Sequence, residues 1–182
     1  MEENRRVRMT KRLLKEAMLE LLEQRPIERI TVTDVCRCAD VNRSTFYAYY
    51  ADVAALMLEI ENDVLGQLPV PSGVPASQDQ FLPALEGFFD YVRSNERLFR
   101  LLVVQRDSSS FNRRLVNTVM ENYRLPFQGE AGLWNRYAYV YCVNGVIGII
   151  REWIDGGFPI STHDFARIVL QISVRATSME NA

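Results

Sequence analysis

Two helix-start signals, Thr31 and Asn42, leave room for only one tight turn between them, and this constrains the chain more than any other feature of its sequence. Thr31 followed by Asp34 fits the S/T-x-x-D/E capping pattern, so the sequence predicts a helix from Val32 that buries Val32, Val35, Cys36 and Ala39. That helix must stop near Asp40. Asn42 is a good cap for a second helix, and Val41 before it can pack on Phe46 at the fourth helical position. With Phe46 and Tyr50 turned inward, Ser44, Thr45, Tyr47, Ala48 and part of Arg43 fall on the outer face or its flanks, at about 100° per residue. Hydroxyls and one guanidinium on a short exposed helix suit base edges and phosphates.

Charge is segregated in the same direction. Residues 1–50 hold ten Lys/Arg against eight Asp/Glu, a net of +2, and residues 51–182 hold eleven against fifteen, a net of −4. Between Arg5 and Lys15 lie Arg5, Arg6, Arg8, Lys11, Arg12 and Lys15 with no acidic residue among them. Alone, such a run reads as a solvated helix face; beside two helices with a hydroxyl-rich outer face it reads as a footprint for phosphates.

At 182 residues and 48% hydrophobic content the chain can bury a real core, so disorder is not the expectation. Three cysteines and one histidine supply neither a disulfide framework nor a zinc site, since Cys36 and Cys38 lack a second pair of ligands. No cofactor and no metal are expected. The charged start MEENRRVRMTKR is not followed by an apolar signal region, which points to a reducing cytoplasm. Catalysis has little support, because there is no nucleophile elbow, no phosphate-binding glycine loop and no paired ligand motif.

From Thr10 the residues Leu13, Leu14, Ala17, Met18, Leu21 and Leu22 recur at helical spacing until Pro26, and Ile27 and Ile30 seat the connection onward. Residues 10–50 thus form a three-helix unit, on which a fourth helix from about Asp52 would pack Val53, Leu56, Met57, Ile60, Val64 and Leu65. The stretch 66–77, GQLPVPSGVPAS, cannot continue a helix. Further helices are expected over Gln78–Arg93 and from Asn95 to about Arg106, interrupted at Asp107–Ser110, and then to about Arg124, with Pro126 and Gly129 marking the end. No stretch alternates cleanly as a strand would, so the class is all-α. The expected organisation is a helix-turn-helix domain over 1–52 and a helical C-terminal domain over 53–182.

Tyr137 to Ile150, YAYVYCVNGVIGII, is the most apolar run. Its length of about 21 Å falls short of a bilayer core of about 30 Å, and Arg136, Arg151, Glu152 and Asp155 bracket it, so a membrane span is not expected. A helix apolar nearly all round is buried on several sides, most simply by a second subunit. Gly156, Gly157 and Pro159 end it, and Ser161 with Asp164 caps a last helix carrying Phe165, Ile168, Val169, Ile172 and Ala176. His163 falls in the first turn of that helix, where a surface role is expected.

The run ITVTDVCRCADVNRSTFYAYY resembles the helix-turn-helix of TetR/AcrR-family transcriptional regulators, whose pattern is roughly T-h-x-x-h-A-x-x-A-G-V-S-x-x-T-h-Y-x-Y-F. The resemblance covers about the first 65 residues and rests on Val41, Thr45, Phe46, Tyr47, Tyr49 and Tyr50. Two departures stand out. Asp40 replaces the family's turn glycine, which implies a slightly strained turn, and Ala51–Ala55 lacks a lysine that the family often uses on a phosphate. VNGVIGIIREWIDGGFPIS is similar to the C-terminal region of a TetR subgroup common in Firmicutes.

By position against the motif, the resemblance implies that Thr33, Arg43, Ser44 and Thr45 meet base edges. Thr31, Tyr47, Tyr49 and the amino end of the second helix at Asn42 would meet phosphates, with Arg5, Arg6 and Arg8 on phosphates or a neighbouring minor groove. It also implies a homodimer on a palindromic double-stranded operator, usually as a repressor. The last two helices, 133–155 and 162–177, would form the dimer interface, with Tyr141, Gly145, Gly148, Ile149, Ile168 and Ile172 as candidate contacts. A small hydrophobic effector among the C-terminal helices would move the helix 52–65 through Val53, Leu56 and Ile60, with a hinge or entrance at 66–77 or Asp107–Ser110. Phe88, Phe89, Tyr91, Phe99, Trp134, Tyr137 and Tyr141 could line its cavity or simply build the core. The alternative is a pocketless regulator of the same family controlled by a protein partner.

Overall fold

The computed structural model describes residues 5–69, 78–105, 109–123 and 133–177, and among them all regular structure is helical. The chain divides into two compact units, Met1–Gln67 and Leu68–Ala182.

The first unit holds α1 (Arg5–Gln24), α2 (Val32–Cys38), α3 (Arg43–Tyr47) and α4 (Val53–Gly66). Helix α1 begins earlier than the apolar periodicity from Thr10 suggests, so Arg5, Arg6 and Arg8 lie in its first turns. Its buried stripe is Leu14, Ala17, Met18 and Leu21, the i, i+3, i+4, i+7 spacing of one helix face. Leu13 was expected inside and is exposed, because it sits one residue off that stripe. Val35, Phe46, Leu56 and Met57 complete the core. By compactness α4 belongs with this unit: Leu56, Met57, Ile60 and Val64 are buried, and Lys15 of α1 pairs with Glu59 at 2.7 Å and with Asp63. Asp52 caps α4 by accepting from the Ala55 amide at 2.7 Å.

The second unit holds α5 (Gln78–Ser94), α6 (Glu96–Phe99), α7 (Ser109–Tyr123), α8 (Leu133–Asp155) and α9 (Thr162–Thr177). Helices α5 and α9 pair, and α8 packs on α7 and α9. The sequence predicts one helix from Asn95 to about Arg106. Instead α6 passes directly into a π-helical segment, Arg100–Gln105, that packs on α8. The wider turn is held from outside, for Arg151 of α8 donates Nε to the Val103 carbonyl at 3.1 Å, and Arg100 donates to the Ile154 carbonyl at 2.7 Å. Leu101, Leu102 and Val103, three consecutive residues, are all buried.

An aromatic pile closes the α5, α8 and α9 contact. Phe89 meets Phe165 edge-on at 4.6 Å, and Trp153 stacks on Phe165 at 4.2 Å. Helix α8 ends in a Schellman turn in which Phe158 N–H reaches the Trp153 carbonyl at 2.9 Å and Gly157 N–H the Ile154 carbonyl at 3.1 Å. Gly157 and Phe158 both take positive φ there. Ser161 caps α9 as the sequence predicts, accepting from the Asp164 amide at 3.1 Å. The expected stop at Pro126 and Gly129, residues 70–77 of the proline-rich stretch, and Asp107 and Ser108 of the expected break lie outside the described residues. Ser109 and Ser110 already belong to α7. No helix among the described residues is long and apolar enough to cross a membrane.

Candidate nucleic-acid interface

Helix α2 starts as its sequence dictates. The Thr31 hydroxyl accepts from the Asp34 amide at 3.2 Å while Asp34 accepts from the Thr31 amide at 3.0 Å, a complete capping box. The Thr31 hydroxyl, then the Thr31 amide, hold the Asp34 carboxyl down to about 2; the Arg25 guanidinium at 3.2 Å adds to this. The far end of α2 is a second Schellman turn, with Val41 N–H on the Cys36 carbonyl at 2.9 Å and Asp40 N–H on the Arg37 carbonyl at 3.4 Å. Asp40 sits at the left-handed position with φ 52°, the site where the family pattern has glycine.

Asn42 then caps α3, accepting from the Thr45 amide at 2.8 Å. Phe46 is fully buried and Tyr50 nearly so, with ring centroids 5.7 Å apart, and this anchors α3 to the core by one face. Arg43, Ser44, Tyr47 and Ala48 are exposed, whereas Thr45 and Tyr49 are half-buried at the edges. Tyr47 stands out from the surface, 57% exposed, with its ring edge against Phe46. Arg43 reaches across to α2 and donates to the Thr33 hydroxyl at 2.6 Å. Ser44 and Thr45 donate their hydroxyl protons to Asn42 Oδ1 at 2.7 and 2.8 Å. The outer face expected from the sequence is thus assembled from both helices.

The basic run on α1 divides in two. Arg5, Arg6, Arg8 and Arg12 are exposed, but Lys11 and Lys15 turn toward α4, Lys11 lying 3.5 Å from Glu59. Burial lowers the Lys15 ammonium, and the hydrogen bonds and charges of Asp63 and Glu59 outweigh it, so the group ends above its ordinary value. Two of the six positive charges are therefore neutralised within the fold. Cys36 is buried and Cys38 is exposed 3.2 Å from Glu20; burial pushes both thiols up, and for Cys38 the Glu20 carboxylate adds to the rise. Neither thiol is poised as a thiolate.

In the second unit α8 and α9 each show an exposed apolar row. On α8, Tyr137, Val140 and Tyr141 are exposed together with Asn144 and Gly148, the i, i+3, i+4, i+7, i+11 positions of one face. Ile147, Ile150, Trp153 and Ile154 fill the opposite face. Tyr137 and Tyr141, each 64% exposed, therefore point away from the core and do not line its interior. The Trp134 side chain lies outside the described residues. A Cβ added at Gly145 or Gly148 would meet nothing within 4 Å. Ile149 is half-buried, and Ile168 and Ile172 on α9 are exposed. Sequence reasoning left Tyr137 and Val140 out of this face; their spacing from Tyr141, Asn144 and Gly148 is the signal that places them there. His163 is on the surface, its Nδ1 3.3 Å from Glu86.

A family model described as "Transcriptional regulator C-terminal region", TetR_C_8, matches residues 79–174. No curated protein sequence matches the chain. Among solved structures, a TetR transcriptional regulator from Streptococcus agalactiae is similar over 93% of this chain and 96% of its own, with a TM-score of 0.72 at 20% identity. The fatty acid degradation regulator FadR from Bacillus halodurans is similar over 94% and 96% with a TM-score of 0.61 at 10% identity. The dihydroxyacetone kinase operon activator DhaS is similar over 91% and 94% with a TM-score of 0.54 at 17% identity. At these identities the structures establish a shared fold, and the family match, which spans more than half of the 182 residues, establishes kinship: the chain belongs to the TetR family of transcriptional regulators, a family of regulators and not of enzymes.

Proposed function

We propose that this regulator binds a palindromic operator as a homodimer and represses the genes beside it. Residues 1–52 would read DNA, and residues 53–182 would dimerise and receive the signal. The observation that carries the proposal is the exposed apolar face of α8, where Tyr137, Val140 and Tyr141 stand in solvent above Asn144 and Gly148. Such a row on a single subunit costs free energy unless a partner covers it, and Ile168 and Ile172 on α9 extend the apolar supply. A two-fold pair also answers the geometry of the target, since half-sites on one face of a duplex lie about 34 Å apart or a multiple of that. Arg43, Ser44, Thr45 and Thr33 supply the groups for base edges; Thr31, Asn42, Tyr47 and Tyr49 at the start and rim of α3 supply groups for phosphates. The sign of control is not carried by the fold, which an operon activator shares; repression follows if the bound dimer excludes polymerase. Sedimentation velocity combined with selection of binding sites from random duplexes tests the proposal. A dimer that enriches two-fold-related half-sites supports it, and a monomer or the enrichment of single half-sites refutes it.

A second reading has its own support. Phe88, Phe89 and Phe99, three of the seven aromatics that could line a cavity or build the core, are buried in ring contacts, as are Trp153 and Phe165, and so build the core. Control through a protein partner is then favoured over a hydrophobic effector. Thermal shift with a series of alkylphenols decides between them: stabilisation that also releases operator favours the effector, and no shift across the series favours the partner.

A further inference from the structure

The side chains of the reading face have a fixed hydrogen-bond polarity. Asn42 Oδ1 accepts from the Thr45 amide at 2.8 Å, which identifies that atom as the oxygen. The Ser44 and Thr45 hydroxyls lie 2.7 and 2.8 Å from the same oxygen. An amide oxygen has no hydrogen to give and two lone pairs to offer; the Thr45 amide takes one, and Ser44, the shorter of the two hydroxyl contacts, directs its proton at the other and turns its own lone pairs elsewhere. Thr45 is half-buried, which leaves Ser44 as the exposed acceptor. Beside it the opposite holds. Arg43 Nη2 gives one proton to Thr33 Oγ1 at 2.6 Å, and this braces the guanidinium across α2 while the rest of its donor fork stays open.

In the major groove adenine N6 and cytosine N4 are donors, whereas guanine O6 and N7 and thymine O4 are acceptors. A braced guanidinium matches guanine in two-point fashion, and an outward lone pair matches only an amino group. We propose that the operator half-site carries a guanine received by Arg43, adjacent to an adenine or cytosine whose exocyclic amino group is received by Ser44. Asn42 is the positioning residue, because it takes the proton that Ser44 would otherwise offer. The inference rests on the reading above that this face meets DNA.

Selection of half-sites with the full-length chain, followed by titration of modified duplexes, tests it. The amino group is deleted alone by placing purine for the adenine, or 2-pyrimidinone for the cytosine. That deletion is expected to weaken the wild-type protein about tenfold and to leave Ser44→Ala unchanged, the scale of one hydrogen bond. Asn42→Ala frees the Ser44 proton, so its selected sites are expected to change at that one position to thymine or guanine. Asn42→Asp keeps both the cap and the acceptor; its added charge beside phosphate is expected to lower affinity for every duplex, while the base selected at that one position stays as in wild type, which separates loss of polarity from loss of folding. Half-sites without the guanine and its amino-bearing neighbour, or equal loss on amino deletion in wild type and Ser44→Ala, overturn the inference while leaving the DNA-reading role intact. Failure of the wild-type protein to enrich any sequence overturns that role and the inference with it.

Discussion

Gly148→Arg separates subunit assembly from subunit folding. Gly148 is exposed on α8, and a side chain added there meets nothing of its own chain within 4 Å, so the variant subunit has no clash to relieve. Replacing a mid-helix glycine even favours the helix, by up to about 1 kcal/mol. The cost falls entirely on association. A guanidinium desolvated without a counter-charge costs about 3 kcal/mol or more, and a two-fold axis places two copies in one interface, for a total of about 6 kcal/mol. At 1.4 kcal/mol per decade the dimer dissociation constant should rise about 10⁴-fold. Sedimentation velocity across a concentration series reads this directly, and circular dichroism melting reads the fold. The expected result is a monomer at micromolar concentration with unimpaired helix content and weak operator binding. A dimer as tight as wild type would refute the assignment of this face, and a subunit that fails to fold would refute the claim that Gly148 lies outside the subunit core.

On α3, Arg43→Ala is expected to cost about 1–3 kcal/mol on the selected operator and to relax its sequence preference, whereas Tyr47→Phe should weaken all duplexes alike; equal losses of Arg43→Ala on selected and random DNA would argue against base reading. Replacing Arg5, Arg6 and Arg8 together should flatten the dependence of operator affinity on salt by up to about three phosphate contacts, and an unchanged slope would remove the start of α1 from the interface. Asp40 occupies a left-handed conformation, so Asp40→Val should destabilise by about 1–2 kcal/mol while Asp40→Gly is neutral or slightly stabilising; equal melting temperatures for valine and aspartate would contradict the turn. The Asp34 carboxyl sits at about 2, below its unfolded value, so its contribution is present above about pH 4 and fades as pH falls through about 2. Thr31→Ala removes its main partner and is expected to shallow that acid limb in pH-dependent melting, and an unaltered limb would place the depression elsewhere.

What could be read from the sequence was mostly local. The Thr31–Asp34 box and the Asn42 cap each span three residues, so the chain states them without reference to anything distant, and the left-handed Asp40 follows from where α2 must stop. Contacts that depend on remote partners were not legible. Lys11 and Lys15 look like phosphate ligands until α4, 48 residues on, presents Glu59 and Asp63 to them. The π-helical segment has no signature in its apolar spacing, because its geometry is held by Arg151 and by the end of α8. The run Tyr137–Ile150 is apolar on nearly every side, so periodicity could not say which tyrosines face outward; the fold decides it by turning Ile147, Ile150, Trp153 and Ile154 to the core.

Both tryptophans of the chain belong to α8, and the first unit has none. Trp153 lies flat on Phe165 with its indole N–H on the Ile160 carbonyl at 3.2 Å, a rigid and dry setting that gives distinctive emission when intact. Indole fluorescence is therefore an optical gauge of the second unit alone. Far-ultraviolet dichroism sees both units. Denaturation curves recorded by the two methods will superimpose only if the reading head and the second unit melt as one cooperative block, and any gap between them measures how independently the two can fail.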